Sequence, residues 1–168
     1  MACAISPSAI KVAKQRLSTY PRVYFENNDV ANLNYKNAVF DLIISNSTLH
    51  HVSLEKSLKE MYRVLMPGGI IWFSEPNMMN PQVFIERKFR FIGKMLQVTK
   101  GETAFFSWRI KKTLEEIGFK RVQIKYFDFL HPLTPQPLIN LVVWVSEKLE
   151  RLPLLNGLSG SLLITAVK

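Results

Sequence analysis

Polar side chains follow two apolar runs near the centre of the chain, where each run ends. Ser45 and Asn46 end the first run, which starts at Val39, and Glu75 and Asn77 follow the second. Near-continuous apolar runs are typical of parallel strands that are covered on both faces. The carboxyl ends of such strands meet at one edge of an open α/β sheet, where ligands bind. The spacing therefore predicts a ligand site built from these four polar residues.

A histidine pair, His50 and His51, comes shortly after the first polar group. A neutral imidazole can act as a general base near pH 7 and take a proton from a hydroxyl or an amine. Adjacent residues on a turn point in different directions, so at most one ring would face a substrate. Packing, or the lining of a ligand pocket, is the alternative. A metal site is unlikely, because the chain has only three histidines and one cysteine.

A third candidate is Asp29 with Val30, which follows the short apolar run 23–25. A carboxylate at the end of a strand can accept a hydrogen bond from an exocyclic amine, and the next backbone N–H can donate to a ring nitrogen. Together the two groups could recognise an adenine edge. The alternative is that Asp29 caps a turn before Leu33.

Alternating helices and strands are predicted to position these residues. The patterns predict helices that begin at Ser6–Pro7 and over 54–65, 82–98, 110–117 and 138–149, and strands over 23–25, 39–45, 70–74, 122–129 and 161–167. Such alternation indicates an α/β fold. A length of 168 residues, with 48% hydrophobic and 21% charged residues, indicates one globular domain.

A single cysteine excludes a disulfide framework and indicates a reducing compartment. A cytoplasmic location is therefore expected, with a peripheral position at a membrane as the alternative. The net charge is +9, and residues 86–125 hold eleven Lys and Arg against four Asp and Glu. A localised basic surface favours an anionic partner.

Part of this basic region, residues 84–98, carries basic residues on one helical face and aromatic and aliphatic residues on another. This pattern allows peripheral membrane contact through residues 84–98. The alternative is a lid helix on the sheet with a solvated charged face. Nucleic-acid binding is unlikely, because the aromatic residues are not arranged on strands as a stacking platform.

The stretch 39–77 resembles the class I S-adenosylmethionine-dependent methyltransferases of the small-molecule and lipid type. It reads F-D, three apolar residues, S-N, the histidine pair, a helix, R-V-L-M-P-G-G and an apolar strand. The resemblance extends over nearly the whole chain. It implies a Rossmann-like methyltransferase sheet, mostly parallel with an antiparallel C-terminal strand, in one domain over 1–168 with a helical insertion at about 78–108. The implied reaction is methyl transfer from S-adenosylmethionine to a small-molecule or lipid-linked acceptor.

The resemblance also implies roles for the candidate residues. Asp29 and Val30 match the positions that contact the adenine of the cofactor, and Ser45 and Asn46 lie beside its methionine part. The histidine pair supplies the possible base. The position of Glu75 and Asn77 often lines the acceptor pocket. Glu75 could instead simply pair with a nearby arginine.

One part of the family pattern has no match. None of the seven glycines precedes Gly68, so the first strand, its glycine-rich turn and the first helix are missing, and Ala4 stands where an acidic residue holds the ribose. We therefore expect a truncated domain with an unpaired edge on the strand 39–44, which binds cofactor poorly or not at all by itself. The alternative is a non-catalytic domain that binds a partner chain or a membrane surface. A nicotinamide-dinucleotide oxidoreductase would need G-x-G-x-x-G, which is absent.

Overall fold

The computed structural model describes residues 1–89, 103–130, 134–153 and 155–168. The strands are β1 (Ala2–Ala4), β2 (Phe25–Asn27), β3 (Phe40–Asn46), β4 (Leu65–Pro76), β5 (Lys120–Phe127) and β6 (Ser161–Val167). The helices are α1 (Pro7–Arg16), α2 (Leu54–Val64), α3 (Pro81–Lys88), α4 (Ser107–Ile117) and α5 (Ile139–Leu149). The alternation confirms the predicted α/β class.

Local sequence explains where several helices begin and end. The Ser6 hydroxyl accepts from the Ala9 N–H at 3.3 Å and caps α1, which has a proline in its first turn. Asn80 caps α3 in the same way. Helix α4 ends at Gly118, whose φ of 115° is a left-handed conformation that glycine adopts without steric cost.

Four strands form the main sheet in the order β3-β4-β6-β5. Strand β3 is parallel to β4, and β6 is antiparallel to both of its neighbours. Strands β3, β4 and β5 therefore point the same way, and the sheet is mostly parallel with an antiparallel C-terminal strand, as predicted. The carboxyl ends of these three strands lie at one edge, which we call the carboxyl rim.

Strands β1 and β2 form a separate parallel pair and are not hydrogen-bonded to the main sheet. Strand β3 is consequently an edge strand, as the sequence predicted for this segment. A cavity of about 360 Å³ lies between β1 and β3. The two sheets are thus separate, with this cavity between β1 and β3.

The hydrophobic core lies on one face of the main sheet, under α2 and α4. It contains, among others, Leu58, Met61, Ile71, Phe73, Ile110, Leu114, Leu162 and Ile164, all almost fully buried. The opposite face is bare where Leu42 pairs with Ile70 and Ile44 pairs with Trp72, and all four side chains are exposed. Ile44 alone is 65% exposed. The described residues therefore cover only one face of the sheet with helices.

Several element boundaries differ from the predictions. Strand β4 begins at Leu65 rather than Ile70, but it bulges at the predicted turn Pro67-Gly68-Gly69: the pairing shifts from Phe40–Leu65 to Leu42–Ile70, and Gly68 has a φ of 80°. Its backbone pairs with the end of the chain there, since the Lys168 N–H donates to the Gly69 carbonyl at 2.9 Å. Strand β2 lies two residues later than predicted. Helix α3 ends at Lys88, and most of the stretch 89–98, which the predicted helix 82–98 included, lies outside the described residues.

Candidate functional site

The cavity between β1 and β3 brings together several of the predicted cofactor-binding residues. Val30, Ser45 and Asn46 line it, together with Thr48 and Leu33. Its volume of about 360 Å³ lies within the range of small-molecule sites, roughly 300–1,000 Å³. The hollow therefore has the size for a small ligand and has polar groups at the end of β3.

A tight turn after β3 sets the polar end of this cavity. Ser47 has a φ of 51° and its N–H donates to the Ser74 carbonyl at 2.8 Å, which holds the turn against β4. The Thr48 hydroxyl donates to the Asn46 carbonyl at 3.1 Å. The side chain of Asn46 is left exposed, and that of Ser45 is half-buried. Both are placed at the carboxyl rim, where the sequence predicted a ligand site.

Asp29 is not among the residues that line this cavity, and it makes a turn contact of its own. Its Oδ1 accepts from the Ala31 N–H at 2.9 Å, and its carbonyl accepts from the Asn32 N–H. This is the capped turn that the sequence left open as an alternative. Val30, in contrast, is half-buried and packs against the core while it lines the cavity. The adenine contact through Asp29 stays a prediction.

An ion pair on α2 holds the loop that carries these residues. The Arg63 guanidinium donates to the Leu33 and Tyr35 carbonyls at 2.8 and 2.7 Å, and Glu60 accepts from the Leu33 N–H. Hydrogen bonding by Arg63 holds the pKa of the Glu60 carboxyl below its usual value. Sequence reasoning missed this clamp, although Arg63 is the arginine of the R-V-L-M-P-G-G motif. The local sequence around Arg63 does not predict that its partners are backbone carbonyls about thirty residues away.

Tyr35 is a second residue that sequence reasoning missed, and it also lines the cavity. Burial is the main cause that raises the pKa of Tyr35 to about 12. Its ring packs edge-on against Phe40 at 5.0 Å between centroids. Tyr35 therefore stays a neutral phenol in the wall of the hollow.

His50 and Glu75 form a buried pair at the carboxyl rim. His50 Nδ1 lies 2.8 Å from Glu75 Oε2, with 6% of the histidine side chain exposed and none of the glutamate side chain. The other carboxylate oxygen, Glu75 Oε1, accepts from the Thr48 and Leu49 N–H groups at 3.0 and 2.8 Å. Both oxygens of Glu75 are therefore occupied within the protein. The partner of Glu75 is a histidine, not the arginine that the sequence left open.

This pair distinguishes the two histidines. His50 is buried, whereas His51 is exposed and its ring lies 4.0 Å from that of His50 with a 42° tilt. A carboxylate at Nδ1 favours the tautomer that carries its proton there, which leaves Nε2 as a proton acceptor. His50 thus has the arrangement of an oriented base.

Asn77 uses its whole side-chain amide within the fold. It is fully buried, its Nδ2 donates to the Gly157 and Ser159 carbonyls at 3.0 and 2.7 Å, and its Oδ1 accepts from the Met79 N–H. These contacts tie the end of β4 to the turn before β6. They favour a structural role, and the predicted contact with a substrate stays a prediction. Among the described residues, no three His, Cys, Asp or Glu side chains come together as a metal site.

Comparisons with known sequences point to one family. Residues 1–73 match the family model described as a methyltransferase domain. The chain is similar to the demethylmenaquinone methyltransferase of Leptospira interrogans, with 31% identity over 146 residues that cover 74% of this chain and 59% of the relative. It is also similar to the enzyme of the same name from Staphylococcus haemolyticus, with 26% identity over 142 residues, 73% of this chain and 58% of the relative. The chain therefore spans less than two thirds of the length of these relatives.

Solved structures show the same fold. A SAM-dependent methyltransferase from Thermotoga maritima, described as a possible histamine N-methyltransferase, superposes with a TM-score of 0.71 at 20% identity over 99% of this chain and 71% of its own. The N-methyltransferase NodS from Bradyrhizobium japonicum, crystallised with S-adenosyl-L-homocysteine, gives a TM-score of 0.62 at 15% identity over 99% of this chain and 64% of its own. The fold that the resemblance to the class I S-adenosylmethionine-dependent methyltransferases implied is thereby confirmed, and residues 1–73 carry the match to the methyltransferase-domain model.

Proposed function

We propose that the protein takes part in methyl transfer from S-adenosylmethionine to a small-molecule acceptor. The observation that carries the proposal is the convergence of Val30, Ser45 and Asn46 on one cavity beside the buried pair of His50 and Glu75. The names of the similar sequences, demethylmenaquinone methyltransferases, support the reaction class. The cofactor analogue bound to NodS supports the cofactor.

The residues around the cavity have the chemistry to hold such a cofactor. Ser45, Asn46 and Thr48 offer hydroxyl and amide groups that suit an amino-acid end, whereas Val30 and Leu33 offer an apolar wall that suits adenine. When bound, the cofactor supplies an activated methyl group on a sulfonium, and the transfer then depends mainly on alignment. Residues 1–67 contain no glycine, so they offer no glycine-rich turn for close backbone contact, and we expect the 168-residue chain to bind the cofactor weakly by itself.

His50 is the side chain that we propose as the base. With its Nδ1 proton directed at Glu75, the Nε2 atom can take the proton that an acceptor hydroxyl or amine loses as the methyl group arrives. Glu75 acts through His50 and is a positioning residue. His51 is the alternative base, since it is exposed at the same turn.

Isothermal titration with S-adenosyl-L-homocysteine tests the cofactor part of this proposal. We expect the wild type to bind weakly, with a dissociation constant of about a millimolar. The affinity of Asn46→Leu should be about tenfold or more lower, since a hydrogen bond to a charged group is lost. Gln15→Leu makes a comparable polar-to-leucine change on the exposed surface of α1 and should bind as the wild type does. No binding by the wild type, or equal binding by both variants, would contradict the proposal.

A second function is favoured by the bare face of the sheet. Leu42, Ile44, Ile70 and Trp72 form an exposed apolar grid next to the unpaired edge of β3. Edges of this kind pair with further chains. In this alternative the protein is a non-catalytic domain that binds a partner polypeptide along β3. This alternative predicts a complex larger than the 19.4 kDa monomer. Ile44→Lys should dissociate that complex, and the wild type should not bind the cofactor.

A further inference from the structure

Exposed apolar side chains are concentrated in the segments that leave the carboxyl ends of β4 and β5. The segment after β4 exposes Met79, Ile85 and Phe89. The segment after β5 exposes Leu138, Leu141, Val143, Trp144, Val145, Leu152 and Leu155. At the amino ends of the parallel strands, the exposed large hydrophobic residues include Met1, Tyr24, Val39, Met66 and Ile70. The segments that leave the carboxyl ends of β4 and β5 therefore expose more apolar side chains than the amino ends do.

Helix α5 carries the largest share of this surface. Leu141, Trp144, Val145 and Lys148 lie at positions i, i+3, i+4 and i+7, on one face of the helix, and Leu141 and Trp144 are 57% and 59% exposed. The helix has 11 residues. No helix in the described ranges is long and apolar enough to cross a membrane. The apolar face of α5 is thus a surface feature.

Hydrogen bonds hold both apolar segments at the carboxyl rim. The Asn80 Nδ2 atom, at the start of α3, donates to the Leu158 carbonyl in the turn that follows α5, at 2.8 Å. The Glu150 carboxylate accepts from the Asp128 N–H at the end of β5, also at 2.8 Å. Because the strand ends also carry Ser45, Asn46 and His50, the apolar surface belongs to the same edge of the sheet as the candidate site.

A lysine lies over an aromatic ring in each of the two helices. The Lys88 ammonium is 5.1 Å from the centre of the Phe84 ring, and the Lys148 ammonium is 5.8 Å from that of Trp144. Aromatic rings next to lysines are typical of surfaces at a bilayer interface, where the ring enters the headgroup region and the ammonium stays with the phosphates. The net charge of +9 adds attraction to an anionic surface.

We propose that the apolar segments at the carboxyl rim, led by the exposed face of α5, dock onto an anionic lipid surface. A second copy of the chain fits the patch less well, because two chains that each carry a net charge of +9 repel each other. Docking would hold the site next to the bilayer, where a lipid-linked methyl acceptor is available. That last step rests on the proposed function, whereas the docking stands on the exposed side chains.

Co-sedimentation with vesicles of phosphatidylglycerol and phosphatidylcholine tests the docking. The double variant Leu141→Ser, Trp144→Ser removes two exposed apolar side chains from α5. The double variant Val39→Ser, Met66→Ser removes two exposed apolar side chains from the amino ends of β3 and β4 and is the matched control. We expect the first variant to partition about tenfold or more weakly than the wild type, and the control to be unchanged. Partitioning should weaken in high salt.

Three outcomes would overturn the proposal: no partitioning by the wild type, equal loss in both variants, or a wild-type dimer in solution that the α5 variant dissociates without any lipid binding. Titration of the α5 variant with S-adenosyl-L-homocysteine separates the two proposals. Cofactor binding that survives while vesicle binding is lost supports the lipid surface as a separate feature. Vesicle binding by a protein that does not bind the analogue would leave the docking intact and contradict the proposed function.

Discussion

Replacement of Glu75 should destabilise the protein by an amount that depends on which of its contacts survive. In Glu75→Ala, the buried Leu49 N–H and the His50 ring lose their partner, while the Thr48 N–H is exposed and can bond to water. A buried polar group without a partner costs about 1–3 kcal/mol, so the two buried groups together cost about 2–6 kcal/mol. That is a large part of the roughly 5–15 kcal/mol by which domains are usually stable.

Glu75→Gln should cost much less, about 1 kcal/mol, because the glutamine carbonyl oxygen still accepts both backbone N–H groups and only the charge-assisted bond to His50 is changed. Its amide would donate to Nδ1 and move the imidazole proton to Nε2. The variant should therefore lose any activity that needs His50 as a base while it keeps its fold.

Urea unfolding followed by circular dichroism measures both variants against the wild type. Glu55→Ala is the control, because Glu55 is an exposed partner of Lys59 on α2 and its removal should leave the midpoint unchanged. The reasoning is refuted if Glu75→Ala lies within about 1 kcal/mol of the wild type. It is also refuted if the alanine and glutamine variants are equally destabilised.

Three further predictions concern the pH dependence, the end of α4 and the bare face of the sheet. Hydrogen bonding by Arg63 lowers the pKa of Glu60 below 4.5, so the pair stabilises the fold above pH 4.5 and its contribution is lost as the pH falls through the lowered pKa. In Glu60→Gln, the melting temperature should therefore decrease less steeply with falling pH below pH 4.5 than it does in the wild type. Gly118→Ala should cost about 1–3 kcal/mol in urea unfolding, because a left-handed φ would be forced on alanine and its Cβ would lie 3.0 Å from the Tyr62 hydroxyl, whereas Gly157→Ala, with open space around it, should be nearly neutral. Ile43→Ala should destabilise the protein by about 2 kcal/mol, because Ile43 packs against the core, while Ile44→Ala should have almost no effect, and equal losses would contradict the assigned faces of β3.

The sequence predicted the fold well where apolar periodicity is strong. The final strand, over 161–167, is found at the predicted residues, and α2, α4 and α5 lie within three residues of their predicted ends. The start of β4 was missed because Pro67-Gly68-Gly69 has the composition of a turn. These residues form a bulge within β4 that is hydrogen-bonded to Lys168, about a hundred residues later, and local sequence does not encode that pairing.

The site was predicted less completely. The rule that parallel strands present their carboxyl ends at one edge predicted a site at Ser45, Asn46, Glu75 and Asn77, and the family resemblance added Asp29 and Val30. Of these residues, Val30, Ser45 and Asn46 line one cavity. The pairing of His50 with Glu75 did not follow, because it depends on the exact register of two neighbouring strands and on the tight turn at Ser47. Contacts of Asp29, Glu75 and Asn77 with ligands were predicted from their positions at strand ends and from the family resemblance, whereas the structure engages their polar atoms within the protein.

The largest exposed apolar helix face in the structure also lies in a different segment from the one that the sequence predicted. The sequence assigned membrane contact to residues 84–98, of which 84–89 are described. The exposed tryptophan and leucine of α5 form a larger apolar face than this part of α3. The sequence of α5 is rich in apolar residues, more than a small domain readily buries. The local sequence does not show whether these side chains are buried, and the structure shows that Leu141 and Trp144 are exposed.

The central claim is that a nucleoside cofactor binds where Val30 and the end of β3 share one cavity. Amide-resolved NMR during titration with S-adenosyl-L-homocysteine tests it most directly. The account predicts that the largest shifts fall on Val30, Ser45 and Asn46, with little change at the amino end of β4 around Met66. Shifts confined to residues outside this cavity, or no shifts at saturating analogue, would contradict the account.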